Sequence, residues 1–245
     1  VSGSIALDCA QRNGRSYLAR VRYDGLSRVS RPQRDGHAVA VVVAHLGPGI
    51  IGGDRYATGV RVEAGASLLV TGQMATPVFA RAGASSTDAR WQVAPGGTLI
   101  VRAEPLMLAA GARHDANAAI AVEGDGCAIV GDIVTVAPGA LVRLRTNARI
   151  DGRLVARDAC DLRANGDAIA TLFAVCADGA QRAAMAAVLA PIVAAAPGVR
   201  GGLGATSGAI VVRATAGQVW AAQRLLAQCV AALRARVTRA EHAAA

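Results

Sequence analysis

"VEAGASLLV", Val62–Val70, reads as the end of one strand, a glycine-containing turn and the start of the next. The same grammar returns in "VAPGGTLIV" (Val93–Val101), "VEGDGCAIV" (Val122–Val130) and "VAPGALVRL" (Val136–Leu144). Glycine supplies the positive φ that a tight strand-to-strand turn needs. The first three copies begin roughly 30 residues apart, a period that marks stacked or layered β units. The expected fold is therefore mainly β. It is a large layered assembly, either two sheets packed face to face or a solenoid-like stack.

Working outward, "SIALDCA" and "SYLARVRY" flank Asn13-Gly14, a hairpin signal. A polar loop through Arg34-Asp35-Gly36 leads into the β-branched run Ala38–Leu46. Asp151-Gly152 marks another hairpin, between "RLRTNARI" and "RLVARDACDL". After about Asn165 the pattern changes to a β-α-β-α tail carrying two helices. "AIATLFAVC" reads as a buried strand. Asp178 with Gln181 forms a capping box opening a helix that presents Met185, Val188 and Leu189 until Pro191 ends it. "GAIVVRA" is a further strand, and Thr215 with Gln218 reads as a second capping box. The helix behind it runs to about Arg236 with the apolar stripe Ala222, Leu226, Cys229, Val230, Leu233 and Val237. Arg224, Arg234 and Arg236 lie off that stripe and are candidate partner contacts. With no linker in view, residues 1–245 read as a single domain, a β-rich body to about residue 165 and a C-terminal part over about 166–240.

The chain is 53% hydrophobic and 18% charged, which makes it globular rather than disordered. Its formal charge of +9 rests on arginine throughout, as a GC-rich genome or an acidic partner would give. Only 3% of residues are aromatic and the arginines are dispersed, which argues against nucleic acid. Five cysteines without a C-x-x-C pair read as buried free thiols in a reducing compartment. The longest nearly apolar stretch, Ala183–Val199, is interrupted by Pro191 and Pro197 and does not read as a membrane span. The first residues show no signal-peptide pattern. The expected location is the cytoplasm.

"GPGIIGGDRY", Gly47–Tyr56, contains a G-x-G-x-x-G after a strand. A dinucleotide fingerprint also needs a helix behind the glycines, and the alternating "VRVEAG" is a strand. No Gly-Lys-Ser/Thr follows, so a P-loop is excluded. The loop is expected to be a wide turn in which Gly52 and Gly53 adopt conformations closed to other residues and present Asp54 beside Arg55. Ser207 in "GATSGA" lacks the nucleophile-elbow pattern. His37, His45, His114 and His242 lack metal-ligand spacing, and His114-Asp115 reads as a surface turn. No nucleophile, base and orienter assemble in the sequence.

"GPGIIGGDRY", "LLVTGQMATPVFA" and the segment ending "AAGAR" resemble, in order and spacing, the UreD family of urease accessory proteins, called UreH in some organisms. That family carries P-P-G-G-[IV]-V-G-G-D, then L-[IV]-T-x-x-x-[AS]-[ST]-K-[FY], then a P-G-A turn. "GRLVARDACDL" and "GGLGATSGAIVVRATAGQVWAAQRLLAQCVAAL" extend the likeness over most of the chain. Gly52, Gly53, Asp54 and Arg55 match the family loop, and Thr71, Gln73 and Thr76 its strand. Pro77 stands where the family has lysine, Ala103-Glu104-Pro105 where it has Pro-Gln-Asp/Glu, and Ala156 where an acid precedes the late-strand arginine. The resemblance implies a non-enzyme, a scaffold that binds apo-urease, UreF and UreG, forms a homodimer within that complex, and helps deliver nickel. No stably bound cofactor is implied, only transient Ni2+, with Asp54 a transient ligand or polar lining of its route. Two other readings compete: an enzyme or small-molecule binder on a solenoid-like fold, and a basic module for another acidic partner.

Overall fold

Each glycine turn of the repeat is a corner at which the chain passes from one sheet to another. The corners at 63–66, 94–97 and 123–126 are closed by Ala66 N–H to Glu63 C=O, Gly97 to Ala94 and Gly126 to Glu123. Gly65 and Gly96 both sit at φ 67°, a conformation open to glycine. The corners also bond to one another. Gly65 N–H donates to Pro95 C=O, and Gly96 and Gly124 N–H donate to the carboxylates of Asp125 and Asp151 at 2.6 and 2.9 Å. The fourth copy of the repeat occupies a different corner, where Gly111 N–H donates to Pro138 C=O.

The computed structural model describes residues 2–102, 104–163 and 166–243. The hairpin of β1 (Ser2–Arg12) and β2 (Arg15–Gly25) turns on Asn13-Gly14, both at positive φ, and short β3 (Ser27–Val29) and β4 (Gln33–Asp35) follow. Three coils come next. The first holds β5 (Ala38–His45), β6 (Ile50–Ile51) and β7 (Arg55–Val62). The second holds β8 (Ser67–Gly72), β9 (Thr76–Phe79) and β10 (Ser85–Val93), and the third β11 (Thr98–Arg102), β12 (Leu106–Leu108) and β13 (Arg113–Val122). A last coil of β14 (Cys127–Val136) and β15 (Leu141–Ile150) leads into β16 (Arg153–Arg163) through the predicted Asp151-Gly152 turn. The tail is β17 (Ala168–Cys176), α1 (Gly179–Ala194), β18 (Val199–Ala205), β19 (Ala209–Ala216) and α2 (Val219–Ala243).

One sheet runs β16-β15-β13-β10-β7-β1-β2, and the second runs β18-β19-β17-β14-β11-β8-β5-β3. Strands β6, β9 and β12 pair in parallel as a short third face. The fold is thus the layered β assembly in its solenoid-like form. Leu7, Val62, Leu68, Leu99, Ile120 and Val130 fill the space between the large sheets. On its outer face the second sheet is covered by the helices, with Ile129, Leu172 and Ile210 against Met185, Leu189, Leu226 and Leu233. Burial on both faces explains why "AIATLFAVC" is a continuous apolar run rather than an alternating one. All six residues of the predicted α2 stripe are buried.

Several local expectations need correction. Thr215 lies within β19, paired with Ile169 and Arg200, so it caps nothing, and α2 begins at Val219. Pro191 lies inside α1, which continues to Ala194. The amide that proline lacks would have met the carbonyl of Ala187, an exposed residue, so the missing donor falls on the solvent side of the helix. The glycine-rich edge strand β18 escapes a propensity-based reading. Gly201 is required there because a Cβ would lie 2.7 Å from that of Ala214. Asp178 caps α1 as expected, accepting from Ala180 N–H at 2.8 Å.

Leu233 is completely buried under α2. Leu233→Ala is expected to lower the unfolding free energy by about 2–5 kcal/mol, measured by urea denaturation, without dissolving the β signal in circular dichroism. A cost below about 0.5 kcal/mol would show that α2 does not pack as described.

Candidate functional site

In-register strands align their inward side chains into rows that cross the coils. On the first sheet one row is Thr58–Ala89–Ala118–Thr146–Asp158. On the second sheet Asp132–Thr171–Arg213 form another. The neighbouring rows, Val60–Trp91–Ile120–Ala148–Ala156 and Val70–Val101–Val130–Phe173, are apolar. Where the small and polar rows face each other the sheets do not close, and a cavity of about 520 Å³ remains. Its lining runs from His45 and Gly47 in the first coil to Asp158, Thr171 and Arg213 at the far end.

The segment read as one strand in the sequence is broken: Thr71 belongs to β8, Gln73 lies in the connection and Thr76 opens β9. Thr71, Gln73 and Thr76 all line the cavity. They are tied across the coils by Gln73 N–H to Val43 C=O at 3.0 Å, Thr76 N–H to Pro105 C=O at 2.8 Å and the Thr71 hydroxyl to Val41 C=O at 3.4 Å. The glycine loop divides differently from expectation. Gly47, Pro48 and Gly49 face the cavity; Gly52, Gly53, Asp54 and Arg55 do not line it. Gly49 sits at φ 138°, and a Cβ there would lie 2.4 Å from the Pro77 carbonyl oxygen. Gly53 is at φ 92°, as expected. Gly52 is a glycine for close approach rather than for φ, because a Cβ would sit 2.8 Å from the carbonyl oxygens of Arg81 and Gly83.

Asp54 is 5% exposed, and its Oδ2 accepts the Ile51 N–H at 3.0 Å while its own N–H donates to Ile51 C=O at 2.9 Å. Its carboxylate closes the β6–β7 turn behind the cavity lip, while Arg55 is exposed on the outer face. Arg224 and Arg236 are exposed on α2, but Arg234 pairs with Asp35 of β4 and so clamps the helix to the body. Ala156 belongs to the apolar row, and the inward acid of that strand is Asp158. Ala103 lies outside the described residues; Glu104 lines the cavity and accepts from Gln223 of α2 at 3.3 Å.

Electrostatics concentrate at the far end. Arg213 donates through Nη2 to Asp158. Burial pushes the Asp132 carboxyl up to about 6. Trp91 Nε1 and Arg213 Nε are buried without a protein hydrogen-bond partner, and both residues line the cavity. At the near end His45 packs edge-on against Tyr56, 4.5 Å between centroids, and burial lowers its pKa. His114 is not on a surface turn: it is 1% exposed in β13, with Nδ1 2.8 Å from the Ser85 hydroxyl and Nε2 3.1 Å from that of Thr87. Burial pushes it down to about 4, and it is a neutral structural histidine. Among the described residues no group of three or more His, Cys, Asp or Glu could hold a metal ion. The polar row went unread because its members are a coil apart. Aligning the repeats would have exposed it, since Thr58, Ala89 and Ala118 each stand four places before the valine that opens a copy.

Residues 1–245 match the family model described as UreD urease accessory protein. The protein named Urease accessory protein UreD from Kocuria rhizophila is 32% identical over 138 residues, 55% of this chain and 38% of its own length. Its namesake from Sorangium cellulosum is 30% identical over 230 residues, 82% of this chain and 72% of its own length. That from Actinomyces naeslundii is 31% identical over 170 residues, 64% and 62% of the two chains.

A carboxyl whose pKa is raised in the folded state stabilises below its unfolded value near 3.8, and that contribution is lost as pH rises through about 6. Asp132 therefore costs stability at neutral pH. Asp132→Asn is expected to stabilise the protein by about 1–3 kcal/mol at pH 8 and to give no gain near pH 4. Thermal denaturation across that range checks both ends.

Proposed function

The chain belongs to the UreD family of urease accessory proteins, and from that premise we propose that it binds apo-urease with UreF and UreG and conveys nickel through its interior cavity. The observation that carries this reading is that the family-motif residues Thr71, Gln73 and Thr76, on β8, its connection and β9, all line the interior cavity. Hydroxyls, amides and separated carboxylates are weak ligands for a borderline dication, and a route has to release what it binds. Asp54 supports the route indirectly on this reading, by holding the turn behind Gly47–Ile50. Exposed Arg224 and Arg236 suit contact with an acidic partner surface. Among the described residues no helix is long and apolar enough to cross a membrane. The five free cysteines suit a reducing cytoplasm.

Co-purification with UreF, UreG and apo-urease tests the scaffold role; capture of none of them would end it. The route is tested by occlusion. Ala118→Phe places a ring in the middle of the small-residue row, and it is expected to keep complex formation while reducing urease activation at least about tenfold. Full activation with the ring in place would refute transport through the cavity. A pair of variants separates two roles for Asp54. Asp54→Asn keeps an acceptor for the Ile51 N–H and is expected to activate nearly as well as the parent, whereas Asp54→Ala loses about 1–2 kcal/mol of stability and slows activation. Equal failure of both would point to direct nickel ligation instead.

A further inference from the structure

The far end of the cavity carries a charge arrangement that neither the family motif nor the proposed route accounts for. Asp132, Thr171 and Arg213 lie in one inward row on β14, β17 and β19, and Asp158 reaches the same space from β16 on the opposite sheet. One carboxylate, Asp158, holds the guanidinium, and a second, Asp132, lines the same cavity with Thr171 between it and Arg213. The guanidinium uses Nη2 for Asp158 and leaves its buried Nε without a protein partner. Trp91, 7% exposed, turns a second unpartnered donor, Nε1, on the same cavity. Buried donors are seldom left unmet, so this region is built for an occupant that brings acceptor atoms, such as water or the hydration shell of an ion.

Arginine cannot lower its charge by losing a proton, so it yields a carboxylate only by moving. Its side chain is long, and here it keeps 36% of its surface exposed, so it has somewhere to go. A monovalent ion has no Coulomb advantage over the guanidinium at Asp158; a divalent ion does. We propose that Arg213 is a tethered counter-ion. It occupies Asp158 between transits, yields Asp158 to an arriving hydrated divalent cation that the Asp132 carboxylate on the same cavity also attracts, and drives that cation out when it returns. This rests on the cavity being a nickel route and adds how the route excludes monovalent ions and avoids becoming a trap. No covalent bond is made or broken; one cation exchanges for another on the Asp158 carboxylate.

The test titrates Ni2+ into the purified full chain by calorimetry and follows urease activation separately. Arg213→Gln is expected to bind Ni2+ at least about tenfold more tightly than the parent, because the competing cation is gone. The same variant is expected to activate urease more slowly, holding what it should release. Arg213→Lys keeps a mobile charge and should bind close to the parent, and adding Asp158→Asn to Arg213→Gln should abolish the gain. Unchanged or weaker Ni2+ binding by a folded Arg213→Gln protein, or no measurable binding by any of the variants, would overturn the proposal and leave Arg213 as a pin between β16 and β19. Failure of the route itself reads out elsewhere, as full activation by Ala118→Phe.

Discussion

Register between parallel strands is the constraint on which the rest of this structure depends. Every coil pairs in phase with the next, so each inward position is repeated across the sheet at the strand spacing of about 4.8 Å. A property chosen at one position becomes a property of a whole row. Rows of valine, leucine and isoleucine weld the sheets together, as at Val60, Val62, Val70 and Val101. A row of threonine and alanine holds them apart. The cavity is therefore not a packing defect in one place but the sum of small choices made once per coil.

How much of this could be read beforehand follows from the same fact. Corners carry their signal locally, in four residues with an obligatory glycine, and so the stacked β architecture was readable from "VEAGASLLV" and its copies. The two hairpins were equally plain, because Asn13-Gly14 and Asp151-Gly152 each place consecutive residues at positive φ. The third face was not readable, since β6, β9 and β12 span only two to four residues and take their pairing from neighbours in space. The cavity was harder still, because its wall is assembled from residues a full coil apart. The loop of Gly47–Tyr56 shows the limit most clearly. Its chemistry suggested that Asp54 was the working residue, yet that carboxylate accepts the Ile51 amide and does not line the cavity, and the plainer Gly47 and Gly49 do.

Buried charge separates what serves stability from what serves something else. His114 is held neutral between two hydroxyls and stitches β10 to β13. Arg234 and Asp35 fasten α2 to the body. Asp132 is different: burial pushes its carboxyl up to about 6, so its ionised form weakens the native state at neutral pH. Groups retained at a cost to stability mark places where a chain has kept a function in preference to a firmer fold.

Phase-locked coils also limit how such a chain can vary in length. One residue added within β7, β10 or β13 would turn every later side chain of that strand to the opposite face and break the row it belongs to. Insertions can be absorbed only between strands, and the connections from β5 to β6 and from β8 to β9 include Gly47–Gly49 and Gln73–Ala75, which border the cavity. Two of the segments free to lengthen therefore border the cavity. A change of length at either one would alter the surroundings of the cavity while leaving the rows of the interior in phase.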